Sequence, residues 1–446
     1  MKGWREIFFY VTVGTGMALA TSVFTMVSGL FTVTNGLGAV LAVALAGGFC
    51  LIIALSIGEL ASMFPSAPAI RTYLKTAFGE RISLLLVYLY LISVVLIAGL
   101  ESFIFAQVSQ QVFPAVSSLL VIVTLFVSVM VVNLAGMELP RTVQVLTTIA
   151  AVGFLTASGV LGIVSPRIPL SLSQLTPAIL GTVPAATGMA VFLFMGFEWV
   201  TPLGLRPKSY HWNLPVSMAI SVGVLIVVYG SFVLGATSQM PREAVSATPV
   251  PQIAYLQTIY GSFGLSLAML LALSATISTF NAGVMGGSRL IYLLAREGAL
   301  PVWCSSLSLR TGAPTGAVVL LSTLSLLSGL AVYRWNAVLL VAVIGAAIIC
   351  VLYSAFLLSA LVLRKRRPDA PRPYRTRVWK PLQWFGVIGL PLLGVQTLFS
   401  EPSLGSRPVY GGVVALAIAC LLVWAYGSVP GRDARRRAPS SISASL

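Results

Sequence analysis

Charge is what this sequence has least of. Charged residues occupy 9% of its 446 positions and hydrophobic residues 58%, whereas about a quarter of the residues in an ordinary soluble domain are charged. This shortage excludes a soluble globular protein and a disordered chain. The long apolar runs do not alternate with polar residues, which excludes a β-barrel. The composition predicts a polytopic all-α membrane protein.

Residues that serve enzymes and metal sites are also scarce. The sequence has one histidine, His211, and four cysteines that lie far apart: Cys50, Cys304, Cys350 and Cys420. Their spacing indicates neither a disulfide framework nor a CxxC metal site. The GxxxxGK[ST] motif of phosphate-binding loops is absent from the sequence. We therefore expect no catalytic residues, no metal and no resident cofactor, and we predict that the protein is not an enzyme.

Twelve apolar segments are long enough to be membrane-spanning helices, each of which needs about 20 residues. They run near 7–30, 36–58, 82–111, 115–134, 142–164, 184–204, 214–239, 262–288, 315–332, 337–363, 383–400 and 409–428. The first segment has a second interpretation, because its apolar run and Ala18-Leu19-Ala20 resemble a signal peptide with a cleavage site. Cleavage there would leave eleven spans.

Basic residues predict how these spans are oriented. When successive loops are assigned to alternating sides, all but four of the 27 Lys and Arg residues fall on one side, and the exceptions are Arg167, Arg242, Arg334 and Arg407. Cations accumulate on the cytoplasmic side of membrane proteins, so both termini are predicted to be cytoplasmic. The basic excess is thus a topology signal and no sign of nucleic-acid binding. The block Arg364–Arg367 is interpreted as a topology anchor, with anionic lipid as the alternative partner.

Two carboxylates lie within the predicted spans, Glu101 in the third and Glu198 in the sixth. Such residues are costly in a membrane and usually face a polar cavity. An end of the third span near the outer interface is the alternative position for Glu101. Gly196, followed by Pro202, predicts that the sixth span is interrupted in mid-membrane.

The first span has a comparable weak point. Gly14-Thr15-Gly16 and then Ala20-Thr21-Ser22 replace bulky side chains with small or hydroxylated ones. Interrupted helices at matching positions of two halves are typical of an inverted-repeat secondary transporter, in which the substrate binds between the half-helices. Small residues that serve close helix packing are the alternative. The eighth span carries hydroxyl side chains, including Ser278 and Thr279, that either line a cavity or bond to their own backbone.

At these positions the chain resembles the amino acid-polyamine-organocation superfamily of transporters. The resemblance covers roughly residues 5–430, and its most specific piece runs from Asn281 to Pro301. The other segments that carry it are Gly58-Glu59-Leu60-Ala61 with Phe64-Pro65, Tyr73, Phe78-Gly79, Phe194-Met195-Gly196-Phe197-Glu198, Arg364, Pro368-Asp369 and Arg372-Pro373-Tyr374-Arg375.

The resemblance implies a leucine-transporter-like fold of twelve transmembrane helices, with a five-plus-five inverted repeat and two additional helices. The expected divisions are a first repeat in 1–165, a second in 166–365, spans eleven and twelve with the preceding basic loop in 366–430, and a disordered cytoplasmic tail in 431–446. It implies a permease of the cytoplasmic (inner) membrane that carries amino acids or related amines by alternating access. Its expected partners are that small-molecule substrate and membrane lipids.

The resemblance also assigns roles to residues. It places the substrate carboxylate at the backbone of Ala20, Thr21 and Ser22, and the ammonium near Phe192 to Met195. Phe192 or Phe194 would close over the substrate, and Glu198 would set charge or gating. Glu101 joins Glu198 as a carboxylate that would suit a cationic substrate.

Several departures from the family pattern leave the coupling open. Ala20-Thr21-Ser22 has no glycine, Ala67-Pro68-Ala69 replaces paired glycines, and Val143-Gln144 is followed by Ala150 and Ala151 where many proton-coupled relatives have a lysine. The options are protons carried by Glu198 or Glu101, a sodium ion at Ser278 and Thr279, or uncoupled exchange. The alternative functions are a channel or a non-transporting sensor on the same scaffold, or a polyamine or cationic amino acid exchanger.

Overall fold

The computed structural model describes residues 2–22, 26–34, 36–65, 69–137, 141–203, 207–241, 244–245 and 250–400. The regular elements in these ranges are helices. In chain order the α-helices are α1 (Lys2–Ser22), α2 (Met26–Val33), α3 (Gly36–Met63), α4 (Ala69–Phe78), α5 (Glu80–Val112), α6 (Ser118–Leu134), α7 (Arg141–Val164), α8 (Pro177–Leu193), α9 (Asn213–Gln239), α10 (Pro251–Tyr260), α11 (Phe263–Arg296), α12 (Thr315–Trp335), α13 (Val338–Arg366) and α14 (Lys380–Phe399).

Eight of these helical segments are long and apolar enough to cross a membrane. They are α3, α5, α7, α9, α12, α13, α14 and α8 together with the residues that follow it to Thr201. Helix α6 and the stretch Phe263–Thr276 of α11 are shorter apolar helices. The prediction of a multi-pass, all-helical membrane protein is confirmed. Helices occupy eleven of the twelve predicted span positions, and the twelfth position, 409–428, lies outside the described residues, as does the tail 431–446.

The helices pack as a bundle in which α3 contacts both α8 and α9, and α1 contacts α7 and α9. Helix α5 contacts α11, α12 and α13, and α14 lies against α13 and α8. Small residues permit the closest approaches. A Cβ atom on Gly159 of α7, for example, would lie 2.7 Å from the backbone nitrogen of Phe232 in α9.

One end of the bundle is joined by buried charges. Glu59 near the end of α3 is almost fully buried and receives hydrogen bonds from Arg364 Nε at 2.8 Å, from Arg364 Nη2 and from the backbone N–H of Thr376 at 3.0 Å. Arg372 Nε lies 3.5 Å from Glu59 Oε1, the oxygen that also accepts from Arg364 Nε. Because a buried carboxylate is tolerated when it is paired and hydrogen-bonded, this cluster holds the ends of α3 and α13 and the following loop together.

A second charged cluster lies at the junction of α4, α5 and α11. Arg71 is the largest fully buried side chain of the described residues. It donates to Glu297 Oε2 at 2.8 Å and also bonds to Glu80 and to Ser83. Glu80 in turn pairs with Lys75 at 2.8 Å. The segments that carried the family resemblance therefore meet in two ion-pair clusters.

The start of α1 lies at this same end of the bundle. Glu6 Oε2 accepts hydrogen bonds from Ser209 Oγ at 3.0 Å and Asn213 Nδ2 at 2.8 Å. The adjacent Trp212 ring lies 5.9 Å from Tyr374 in the loop that pairs with Glu59. The amino-terminal end of α1, the start of α9 and the basic loop after α13 thus share one face.

Candidate functional site

The sixth predicted span is interrupted where the sequence indicated. Helix α8 ends at Leu193 and a 3-10 helix begins at Phe197 and runs to Leu203. Between them Phe194 N and Met195 N donate to the carbonyls of Val191 and Phe192, each at 3.2 Å. Gly196 turns the chain with a φ of 122°, a backbone conformation that residues other than glycine rarely adopt. The predicted break at Gly196 is confirmed.

Glycine at this position also allows a backbone-to-backbone contact with the first span. A Cβ on Gly196 would lie 2.9 Å from Ala18 N and 3.1 Å from Ala18 Cα. The next helix secures the same part of α1, since Tyr229 Oη donates to Ala18 O at 3.0 Å. The break in the sixth span is therefore fixed against the carboxyl-terminal third of α1.

The first span differs in part from the expectation. Gly14-Thr15-Gly16 lies inside continuous α1, where a Cβ on Gly14 would lie 3.0 Å from Ser221 Oγ of α9 and one on Gly16 would clash with Thr148 of α7. These glycines permit close helix packing and do not interrupt the helix. The prediction of an interruption at Gly14-Thr15-Gly16 was therefore wrong. Ala20, Thr21 and Ser22 form the last turn of α1, and the next helix begins at Met26.

A cavity lies between α1, α5, the break, α11 and α12. Its free volume is about 60 Å³, several times the ~10–15 Å³ that one water molecule needs. The residues that line it are Met17, Val94, Ile97, Ala98, Glu101, Met195, Gly196, Trp199, Thr279, Phe280, Gly283, Val284, Leu321 and Ser325. Three residues predicted to bind substrate or ion, Glu101, Met195 and Thr279, meet in this cavity.

Glu101 faces the cavity from α5. Its residue is 7% exposed, and its Oε1 has no hydrogen-bond partner among the described residues. Thr279 Oγ1 on α11 is likewise buried and without a partner in the described part of the chain. Ser278 is the neighbouring residue of α11, and its side chain lies outside the described residues.

Glu198 is buried as well, but its carboxylate is bonded to the protein. Its Oε2 accepts from Gly196 N at 3.1 Å and from Tyr353 Oη of α13 at 3.1 Å, and its Oε1 accepts from Tyr90 Oη of α5 at 3.4 Å. It is absent from the cavity lining. Glu198 thus ties the break to α5 and α13, and we call this arrangement the Glu198 clasp.

The two phenylalanines predicted to cover the substrate lie elsewhere. The Phe194 ring packs edge-on against Tyr229 of α9 at 5.5 Å, and the Phe192 ring lies against Gly345 of α13. The aromatic side chain of the break that lines the cavity is Trp199, whose ring centroid is 6.0 Å from that of Tyr90. Sequence reasoning missed Trp199, although its place directly after Glu198 in the interrupted span was a usable signal.

Comparisons with known proteins were made for the whole chain. A family model described as amino acid permease matches residues 6–425. The aromatic amino acid transport protein AroP of Corynebacterium glutamicum is 25% identical over 96% of this chain and 96% of its own length. The branched-chain amino acid permease BcaP of Bacillus subtilis is 24% identical over 83% of each chain. A manganese transporter of Eremococcus coleocola has a similar fold, with a TM-score of 0.61 at 13% identity over 95% of this chain and 93% of that one.

Proposed function

The chain belongs to the amino acid permease family, and we propose that this secondary transporter carries amino acids or related amines by alternating access through the cavity beside Gly196. The observation that carries the proposal is the meeting of an interrupted helix, a buried carboxyl group and an apolar cavity at one place. Ligands in proteins of this kind bind where a broken helix frees backbone groups at mid-membrane.

We propose the architecture of twelve transmembrane helices with an inverted repeat in 1–165 and 166–365, followed by 366–430 with two further spans and a tail in 431–446. Packing of the described helices supports it. The contacts α1–α9, α1–α7 and α5–α6 recur as α8–α3, α8–α13 and α11–α12. Spans one to five are α1, α3, α5, α6 and α7, and their counterparts, spans six to ten, are α8, α9, α11, α12 and α13. When each helix is replaced by its counterpart, every contact of the first set becomes the corresponding contact of the second. A two-fold relation between the two halves requires this correspondence.

Both termini are proposed to be cytoplasmic, in the inner membrane of the cell. The arginines of the ion-pair clusters, Arg71, Arg364 and Arg372, share one face with the start of α1, and that face carries the residues that the charge distribution places inside. Membrane lipids are the proposed surroundings, and anionic lipid is a candidate partner of the basic loop.

For the substrate, we propose that the carboxylate binds at the backbone of Ala20, Thr21 and Ser22, and the ammonium binds near Phe192 to Met195. Trp199, which lines the cavity, takes the covering role that the resemblance gave to Phe192 or Phe194.

The coupling ion is part of the proposal. Glu101 is the better proton carrier of the two carboxyl groups because Glu198 accepts three hydrogen bonds, whereas Glu101 Oε1 accepts none from the described residues. A sodium ion at Ser278 and Thr279 and uncoupled exchange are the competing schemes. Uptake measured under imposed proton and sodium gradients separates the three, since each scheme is driven by a different gradient or by none.

Exchange in liposomes tests the function. Purified protein is reconstituted, the vesicles are loaded with an unlabelled amino acid or amine, and entry of the labelled compound is followed. A carrier shows saturable uptake that is faster when the inside is loaded, whereas a channel shows no such stimulation and a sensor shows no uptake. Absence of uptake and exchange for the standard amino acids and simple amines under every gradient would refute the proposal.

A further inference from the structure

Two buried oxygen atoms of the cavity stand out because the described protein does not satisfy them. Glu101 Oε1 and Thr279 Oγ1 each lack a hydrogen-bond partner among the described residues, and both side chains line the same cavity. Buried polar atoms in proteins are nearly always bonded. The carboxylates of Glu59 and Glu198 in this chain follow that rule. Unsatisfied acceptors in a cavity point to a ligand that supplies the donors.

The charge of such a ligand follows from the lining. Among the described residues, the cavity lining includes no lysine, arginine or histidine, and the described ion pairs do not involve Glu101. A buried carboxylate without a cation is costly. A positively charged group on the ligand removes this cost and supplies hydrogen-bond donors at the same time.

The shape of the ligand follows from the remaining walls. Val94 and Ile97 of α5, Val284 of α11 and Leu321 of α12 are apolar and line the same space. An apolar wall favours methylene groups over polar ones. A guanidinium group is best matched by a bidentate carboxylate, whereas one carboxylate oxygen and one hydroxyl suit the compact ammonium group with its three donors.

Building on the proposed function, we propose that Glu101 and Thr279 form a subsite for a primary ammonium group at the end of the substrate's methylene chain. The preferred substrates are then amino acids with an ω-amino group, such as lysine and ornithine. Their α-amino and carboxylate groups lie near Phe192 to Met195 and near the last turn of α1. Their chain crosses the apolar part of the cavity. Glu101 is thus a specificity-determining residue.

The experiment compares lysine with norleucine, whose unbranched chain ends in a methyl group. Binding of both is measured by calorimetry and by competition on purified wild-type protein, Glu101→Gln and Asp369→Asn. The last variant removes a carboxylate from an exposed loop and serves as the matched control. We expect wild type and Asp369→Asn to bind lysine at least about tenfold more tightly than norleucine, because a hydrogen-bonded charge contributes at this level.

Glu101→Gln is expected to lose at least about tenfold in lysine affinity while norleucine changes by less than about threefold. Its apparent melting temperature should equal or exceed that of wild type, because the change removes an uncompensated buried charge. If Glu101→Gln does not fold, Thr279→Val is used in its place, with a smaller selective loss for lysine.

A lysine-to-norleucine ratio that is the same in wild type and in the folded variant would overturn the subsite. Exchange of neutral amino acids without binding of lysine would overturn the subsite and leave the proposed function standing. If wild-type protein neither binds nor exchanges the amino acids and amines tested, the proposed function itself fails.

Discussion

The Glu198 clasp makes a sharp prediction, because two substitutions at the same position separate hydrogen bonding from charge. Glu198→Ala removes the acceptor for Gly196 N–H, for Tyr353 Oη and for Tyr90 Oη. Leaving a buried donor without an acceptor costs about 1–3 kcal/mol. With the two shorter bonds counted fully and the 3.4 Å bond as a minor addition, the expected loss is about 2–6 kcal/mol.

Glu198→Gln should behave differently. The amide oxygen can still accept from Gly196 N–H and Tyr353 Oη, and the amide NH₂ can donate to Tyr90 Oη, because a tyrosine hydroxyl acts as a donor and as an acceptor. We expect a loss of about 1 kcal/mol or less. Tyr353→Phe, which removes one hydrogen bond of 3.1 Å, should fall between the two variants.

The assay is thermal unfolding of purified protein in detergent, followed by intrinsic fluorescence, together with exchange in liposomes. Glu198→Ala should have a clearly lowered apparent melting temperature and no exchange, whereas Glu198→Gln should melt within a few degrees of wild type and retain exchange. Asp369→Asn is the control. If Glu198→Gln folds normally but is as inactive as Glu198→Ala, the negative charge and not the clasp is the function of Glu198. If Glu198→Ala melts like wild type, the clasp does not stabilise the break.

Three further predictions concern the charged face, the break and the cavity wall. Glu59→Gln should cost about 3 kcal/mol and lower the apparent melting temperature, because it leaves Arg364 without its buried counter-charge; adding Arg364→Met should restore part of the loss, and an additive loss would contradict the pairing. Gly196→Ala should cost at least about 1–2 kcal/mol and abolish exchange, since φ of 122° and the approach to Ala18 both exclude a Cβ; normal exchange by this variant would refute the described break. Trp199→Leu should raise KM for transport with little change in melting temperature, and an unchanged KM would remove Trp199 from the substrate site.

Much of this fold was predictable from the sequence, because the length of an apolar run reports directly on helices that span a membrane. The break at Gly196 was predictable for a local reason, since Gly196 is followed by Pro202, and proline cannot continue a regular helix. The glycines of α1 show the limit of the same signal. Gly14 and Gly16 look like a break in sequence, yet they are contact points for α9 and α7, and only the packing distinguishes the two uses.

The candidate site was predictable in part. Glu101, Met195 and Thr279 were expected to serve substrate or ion, and they share one cavity. The sequence could not predict that Glu198 is hydrogen-bonded whereas Glu101 Oε1 has no partner among the described residues. The side chains that donate to Glu198 are Tyr90 and Tyr353, which are distant from it in sequence. Likewise, the turn at Gly196 determines which aromatic side chain near the break faces the cavity. Trp199 lines the cavity, whereas Phe192 and Phe194 do not.

The central claim is that amino acids or amines pass through the cavity beside Gly196. Exchange of labelled substrate in liposomes by wild type and by Ala98→Phe tests it most directly, because Ala98 lines the cavity and is only partly buried, so a phenyl ring there projects into the open space. Wild type should show saturable, trans-stimulated exchange, and the folded variant should lose at least about tenfold of it. Undiminished exchange by folded Ala98→Phe would mean that the substrate does not pass through this cavity.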